Sequence, residues 1–433
     1  MIINRNTKLI AAFIALALYA NLASFTGKSS SYTESYPAVI CPVNGDGESS
    51  FISLESSKVP VRKSGTSTME FKEAGNSRLP GSTQALIINS EEATPITWQA
   101  RSGVWAGALT CITPVTSQWF VGGTADVTSK GKLTLVNSGL GRAIVSLTIY
   151  TEKGIQGEQS VGVRANSFKS FSLASLAPGA SKIAIHITPQ SGRVNGFLID
   201  ERGRGLRSLG GDTVNSVESA AKEIVIAGIP HTVSRNKALG HTLRILVPGE
   251  VPATLSATLT TSDGTFAPAG IDGKNIPAGT VVELPLNLVS GTGKFALTLK
   301  ADRPIVASVR SQTLVGGKSD FLWNTPVPEL VPSRYSVTGA APLLVVTGEK
   351  ISVDIELGSP NGKVRKIELR GSGVLTQQIG EKVRTITVTS TSDKTYGALL
   401  ISSQSGYGFA PLTPGSILTK SSIPSSNIRV LIP

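Results

Sequence analysis

Aromatic residues are scarce in this sequence, 5% of 433 positions, and no long helix-forming stretch appears after residue 30. The second absence excludes an extended helical protein and leaves too little helix between strands for a parallel α/β sheet. Histidine occurs only three times, as His186, His231 and His241. His231 and His241 stand ten apart with no carboxylate cluster or cysteine at ligand spacing, so no metal site is expected. His186 falls in an alternating strand, where packing or a hydrogen bond is its expected role. There is no Gly-x-Ser-x-Gly elbow, and Gly371-Ser-Gly373 lacks the flanking pattern of one. Gly203-Arg-Gly205 lacks the Lys-Ser/Thr that a phosphate cradle requires. A glycosidase needs two carboxylates facing a sugar. Asp46, Glu48, Asp200, Glu201, Asp212 and Asp320 are present, but nothing in the sequence pairs any two. The expectation is therefore a chain without catalytic residues, cofactor or metal.

What the chain does have is a segment that returns about 110 positions later. Leu133-Thr-Leu-Val-Asn-Ser-Gly139 is answered by Leu243-Arg-Ile-Leu-Val-Pro-Gly249, and Ala143 to Ser146 by Ala253 to Ser256. The turn ending at Gly154 matches that ending at Gly264, Ala184 matches Ala296, and Val194 matches Val306. Such self-similarity marks one folding unit copied in tandem. Residues 131–200 and 241–312 are expected to superpose, with matched residues sharing burial.

The composition gives the class. Forty-five glycines and 24 prolines punctuate segments rich in Val, Ile, Leu, Thr and Ser. Short strands at regular spacing, joined by Gly, Pro and Ser turns, argue for two-sheet antiparallel sandwiches. The fold class expected is all-β: tandem Ig-like sandwiches after one N-terminal membrane helix. Strands are expected at 85–89, 132–136, 143–150, 168–173, 182–187, 193–199 and 223–227, with the charged, Gly-containing stretch 200–222 breaking the pattern. The units are a signal anchor or signal peptide at 1–27, a linker at 28–36, and a disulfide-braced β domain at 37–123. Sandwich repeats follow at 124–229 and 230–330, with a diverged repeat at 331–433. In that last unit Gly397 to Gly406 echoes Lys182 to Gly192.

Residues 9–27 carry no charge and follow Arg5 and Lys8. Basic residues before an apolar run keep the N-terminus in the cytoplasm, and the run approaches the ~20 residues that span a bilayer. The reading is a single-pass anchor with the bulk outside. The alternative is a secreted protein after cleavage behind Ala23, where Asn21 at −3 makes a mediocre site. Cys41 and Cys111, an even pair in an exported chain, are expected to be disulfide-bonded. Forty-one basic against 29 acidic residues give +12, or +10 without Arg5 and Lys8. The basic residues are dispersed, with no run of five, and an extracytoplasmic chain has no nucleic acid to meet. Acidic wall polymers or anionic lipids remain partners of suitable charge. Arg202, Arg204 and Arg207 are read as an anion-binding loop, or as a solvated loop balanced by Asp200 and Glu201. Trp119, Phe120, Phe321 and Trp323 stand near unit boundaries, as glycan-stacking faces or as plugs between sandwiches.

With Cys41-Pro42, Cys111, Trp119-Phe-Val-Gly-Gly123, Leu133-Thr-Leu-Val-Asn137 and Asp320-Phe-Leu-Trp323 in place, residues 37 to 330 resemble an uncharacterised family of actinobacterial exported proteins. Its members are similar in being encoded near envelope glycosyltransferases. The resemblance implies an envelope context, with a glycosyltransferase-associated protein or a cell-wall polymer as partner. The expected function is a non-enzymatic scaffold, spacer or accessory subunit in envelope assembly. A glycan- or anionic-lipid-binding module and an envelope hydrolase are the alternatives.

Overall fold

Alternation of small apolar and polar residues favours a strand with one buried face. Ala143–Thr151 follows that rule, burying Ala143, Val145, Leu147 and Ile149 while Ile144 turns outward. A computed structural model describes residues 33–35, 38–67, 70–89, 93–234, 237–288, 293–315, 318–403, 406–415 and 421–423. The expected membrane segment at 9–27 lies outside these residues, as does most of the 28–36 linker. Among the described residues no helix is long and apolar enough to cross a membrane. The chain forms two units. In one, Thr33–Ser35 pairs with Ser421–Ile423. Among its described residues the other, Ala38–Ile417, is all-β apart from the single-turn helix Leu173–Leu176, capped by Ser172 Oγ accepting from the Ser175 N–H at 3.1 Å.

The larger unit is built of four modules that share one strand order. Numbering the strands of each module from one to eight, one antiparallel sheet runs 1-6-3-4 and the other 5-2-7-8. In the second module, Gln118–Val121, Ile183–Ser191, Ala143–Thr151 and Gly154–Val163 form the first sheet. Ser167–Ser172, Lys132–Asn137, Val194–Arg204 and Arg207–Val214 form the other. The third module uses Ala221–His231, His241–Leu246, Ala253–Thr260, Val282–Leu286 and Lys318–Asn324 in the same places. Its single long strand Gly293–Val315 serves as both sixth and seventh, and Thr265–Phe266 with Lys274–Ile276 fills the fourth place. The fourth module fuses its second and third strands in Leu343–Gly358 and its fourth and fifth in Val364–Gln378. Ser333–Ser336, Thr385–Thr391, Tyr396–Ser403 and Gly406–Pro411 complete it. Even the first module, Val39–Cys41 to Trp105–Thr110, follows the order with strands as short as Lys72–Glu73. Immunoglobulin sandwiches pair their first strand with the second; here the first pairs with the sixth.

The turn at Gly154 recurs at Gly264 down to its hydrogen bonds. Thr151 Oγ1 accepts from Lys153 N and donates to Gly154 O, both at 3.1 Å. Thr261 Oγ1 accepts from Asp263 N at 3.1 Å and donates to Gly264 O at 3.3 Å. Ala143 with Ala253 and Ala184 with Ala296 are buried in equivalent places. Val194 and Val306 are both buried but on opposite faces. Val194 faces its own module's core, whereas Val306 faces the second module. The pairing of Leu133 with Leu198 and of Leu243 with Val309 makes Ile305 the counterpart of Val194, one residue away from the sequence match. A slip of one residue inverts every side chain in a strand.

Three further expectations change. Residues 200–222 do not break the pattern: Val194–Arg204 and Arg207–Val214 continue through them as a hairpin. Their charges and glycines serve contacts described below. The pairing also carries Gln118–Val121 into the second module and Ala221–His231 into the third, each ahead of the boundary read from sequence. Tyr396–Ser403 holds the place of Val194–Arg204, so its echo of residues 182–192 is not positional.

The four modules close on themselves. Val136 and Phe197 of the second join the core of the first, and Trp119, Tyr150 and Ala184 of the second pack on Leu246, Val281 and Val306 of the third. Ala227, Ala296 and Leu322 of the third meet Val345, Leu400 and Phe409 of the fourth. The fourth returns to the first through a parallel pairing of Arg334, Tyr335 and Ser336 with Ala93, Thr94 and Pro95.

Candidate functional site

At the centre of this closed arrangement the four eighth strands, Trp105–Thr110, Arg207–Val214, Lys318–Asn324 and Gly406–Pro411, pack against one another. Backbones approach this closely only where side chains are missing. A Cβ on Gly408 would lie 2.6 Å from Ala108 Cβ, and one on Gly210 would collide with the Asp320 carboxylate. The polar groups that converge there bond from module to module. Trp105 Nε1 donates to Glu201 Oε2 at 2.9 Å. Trp323 Nε1 donates to Asp200 Oδ2 at 2.9 Å, and its backbone N–H to Asp212 Oδ2. Gly211 N donates to Asp320 Oδ1 at 3.0 Å. Asn215 Nδ2 donates to Ala108 O and Phe409 O at 3.0 and 2.8 Å, joining three modules with one side chain.

Arg244 is fully buried beside this hub. It donates to Glu283 Oε1 at 2.7 Å and to Gly123 O at 2.6 Å, with its guanidinium 4.9 Å from the Trp323 ring. Asp200 and Asp212 stand directly opposite each other across their hairpin. Like charges so placed repel, so their environments part them. Against the cost of burial, Arg202 at 2.8 Å, then Arg244 and the Trp323 indole, hold Asp200 below its ordinary value. Burial pushes Asp212 well up, and the Asp320 and Asp200 charges add to it against the hydrogen bonds of Trp323 and Thr213. Burial likewise raises Asp320 from 3.8 to about 7, against backbone N–H bonds from Gly211, Phe321 and Ala106.

These shifts give a pH prediction. A carboxyl raised in the folded state contributes stability that is complete below its unfolded pKa and is lost as pH rises through the folded one, here from 3.8 to about 7. His241 acts the other way. Burial, then the neighbouring His231, lowers it from 6.5 to about 4, so its contribution is present above 6.5 and lost as pH falls towards 4. The two oppose each other in this window. Asp320→Asn should therefore tilt the profile, making stability fall on acidification by about 1 kcal/mol more per pH unit than in the parent. Urea midpoints measured between pH 4 and 7 check this, and parallel profiles for parent and variant would refute it.

A protein family described as a family of unknown function, DUF5719, matches residues 83–391, more than two thirds of the 433 residues. This chain belongs to that family. No curated protein and no solved structure matches it. The DUF5719 segment contains Trp105, Asp200, Asp212, Arg244, Asp320 and Trp323, hence most of the hub.

Within and around the DUF5719 segment, the residues singled out from sequence take definite places. Cys41 and Cys111 form a disulfide with Cα atoms 4.9 Å apart. Trp119 stacks on His186 at 3.8 Å in the seam between the second and third modules, and His186 Nε2 meets Ser117 Oγ at 3.0 Å. Phe120 lies in the core of the second module, which Phe321 and Trp323 enter from the third. Arg202 turns inward to Asp200 and lies 5.2 Å from the Phe321 ring, whereas Arg204 and Arg207 are exposed on either side of the tip Gly205-Leu206. The three arginines are thus not gathered on one face.

His231 and His241 do meet, Nδ1 to Nε2 at 2.9 Å, and His241 Nδ1 lies 2.9 Å from Ser311 Oγ. The group is buried, with His241 edge-on to Phe295. Such a pair needs room for a substrate beside it to act as nucleophile and base. Among the described residues no three metal-ligating side chains gather to hold a metal ion. What sequence reasoning missed is that Asp200, Asp212 and Asp320 all serve the hub, each bonded to its own partners. In strand register Asp212 matches Leu322, and Asp320 matches Gly210, the glycine that makes room for it.

Proposed function

We propose that this protein is a non-enzymatic interaction protein of a bacterial envelope. In this reading residues 9–27 anchor it in the cell membrane. Its tandem sandwiches, immunoglobulin-like in two-layer architecture, lie outside as a scaffold or accessory subunit. The observation that carries the reading is the hub. Aromatic, arginine and carboxylate side chains of the first three modules converge inward and bond to one another, and Asn215 ties in the Phe409 carbonyl of the fourth, so the outward faces keep fixed relative positions. Fixed placement is what a scaffold contributes to its partners. The disulfide supports an oxidising compartment, and the uncharged run behind Arg5 and Lys8 supports the topology. An envelope protein is the partner this reading favours, with a cell-wall polymer as the other candidate.

Protease added to intact protoplasts should remove the bulk of the chain, and crosslinking in intact membranes should capture a discrete envelope partner. Trp323→Ala, which loosens the hub, should lose that partner while the protein stays in the membrane. Protection of the sandwich region until the membrane is permeabilised would sink the topology. Undiminished capture by Trp323→Ala would sink the scaffold role.

A further inference from the structure

We propose that the cleft between the third and fourth modules binds a neutral saccharide. The cleft encloses ≈ 490 Å³, inside the range of about 300–1,000 Å³ usual for ligand sites. Its floor is the outer face of a sheet. Val225, Thr298 and Thr258 stand abreast on three neighbouring strands, and Thr260 follows Thr258 on the same face. Its far wall is the fourth module at Thr347, Gly373 and Tyr396. One end is closed by backbone contact: Gly373, at φ +78, approaches the Thr261 carbonyl so closely that a Cβ would lie 2.5 Å from it.

The chemistry of the lining selects the ligand. Each threonine hydroxyl both donates and accepts, which matches a ligand that presents rows of hydroxyls. Among the described residues those of Thr258, Thr260 and Thr298 carry no protein hydrogen bond. The charges balance against an anion. Lys300 is paired with Glu223 at 3.2 Å, and Lys394 is outnumbered by Asp263 and Glu349. No surplus of cations is left to draw phosphate or acidic polymer. Tyr396 supplies an aromatic surface with a polar end, suited to the apolar face of a sugar ring. Burial, then Glu329 and Glu223, raises its hydroxyl pKa, so that group stays a donor at neutral pH. The inference stands whether or not residues 9–27 span a membrane.

Maltose, cellobiose, mannobiose and galactobiose, titrated in turn into the full chain by calorimetry and saturation-transfer NMR, test it. At least one should bind saturably with millimolar affinity. The isosteric pair Thr258→Val and Thr298→Val should weaken that binding about tenfold at an unchanged melting temperature. Ser372→Trp, a substitution at an exposed position on the rim, should block it. Binding by none of the four sugars, equal binding by parent and variants, or displacement of the sugar by inorganic phosphate would overturn the assignment.

Discussion

Trp323→Ala should lower the free energy of unfolding by about 5 kcal/mol. Two effects combine. The indole is fully buried at the meeting of two modules, and removing it leaves a cavity that the packed strands fill only in part. Truncation of a buried tryptophan costs roughly 3–5 kcal/mol. Its N–H also donates to Asp200 Oδ2, which keeps Arg202 as a donor, so the lost bond adds about 1 kcal/mol. Trp323→Phe keeps the backbone N–H bond to Asp212 and most of the ring, so it should lose about 2 kcal/mol. Urea unfolding separates the two variants. Hydrogen exchange adds a second test, because the hub strands share contacts across all four modules. Faster exchange should appear in Trp105–Thr110, Arg207–Val214 and Gly406–Pro411 as well as in Lys318–Asn324. Exchange raised in the third module alone would mean that the four do not depend on one another.

Loss of the Cys41–Cys111 bond should rank next, at about 4 kcal/mol for a closed loop of this length. The bond spans 70 residues and holds the first strand of the first module against the end of its eighth. That module has the least strand pairing to fall back on, with Val39–Cys41, Lys72–Glu73, Arg78–Pro80 and Leu86–Ile88 all three residues or fewer. Cys41→Ser with Cys111→Ser should unfold residues 38–111 at lower denaturant than the rest, seen as early exchange of their amides. Denatured, non-reduced protein should show no free thiol. Titratable thiols there, or a double serine variant as stable as the parent, would contradict the argument.

The all-β class was legible because it rests on local chemistry. Thr151 and Thr261 cap like turns before Gly154 and Gly264, and Ala143–Thr151 and Ala253–Thr260 alternate as half-buried strands must. The same alternation ran out where strands are buried on both faces. Val306 is apolar like Val194, and only the pairing shows which of Ile305 and Val306 faces the module core. The hub left less trace. Arg244 sits between Leu243 and Ile245 in a buried stretch of strand, and its reason is a carbonyl at Gly123, 121 residues away. Asp200 and Asp212 carried the right chemistry, but the stretch around them read as a break, although Gly210 and Gly211 lie inside a strand and make room for Asp320 and Trp105. Ring closure was invisible for a related reason. The parallel contact of Ser333–Ser336 with residues 93–95 uses main-chain groups that any residues supply.

That closure also decides how the body carries load. Ile40 N donates to Ile112 O at 3.0 Å, and Thr113 N donates to Gly415 O at 2.8 Å, so the chain goes in and comes out at one seam. Tension applied between residues 40 and 415 crosses the short tie at Ile112 and Thr113 instead of the second and third modules. Beads on a string lengthen under pull because every bead lies on the line of force. In this body the load stays on the seam until the Ile40–Ile112 and Thr113–Gly415 bonds part, and only then does it reach the second and third modules.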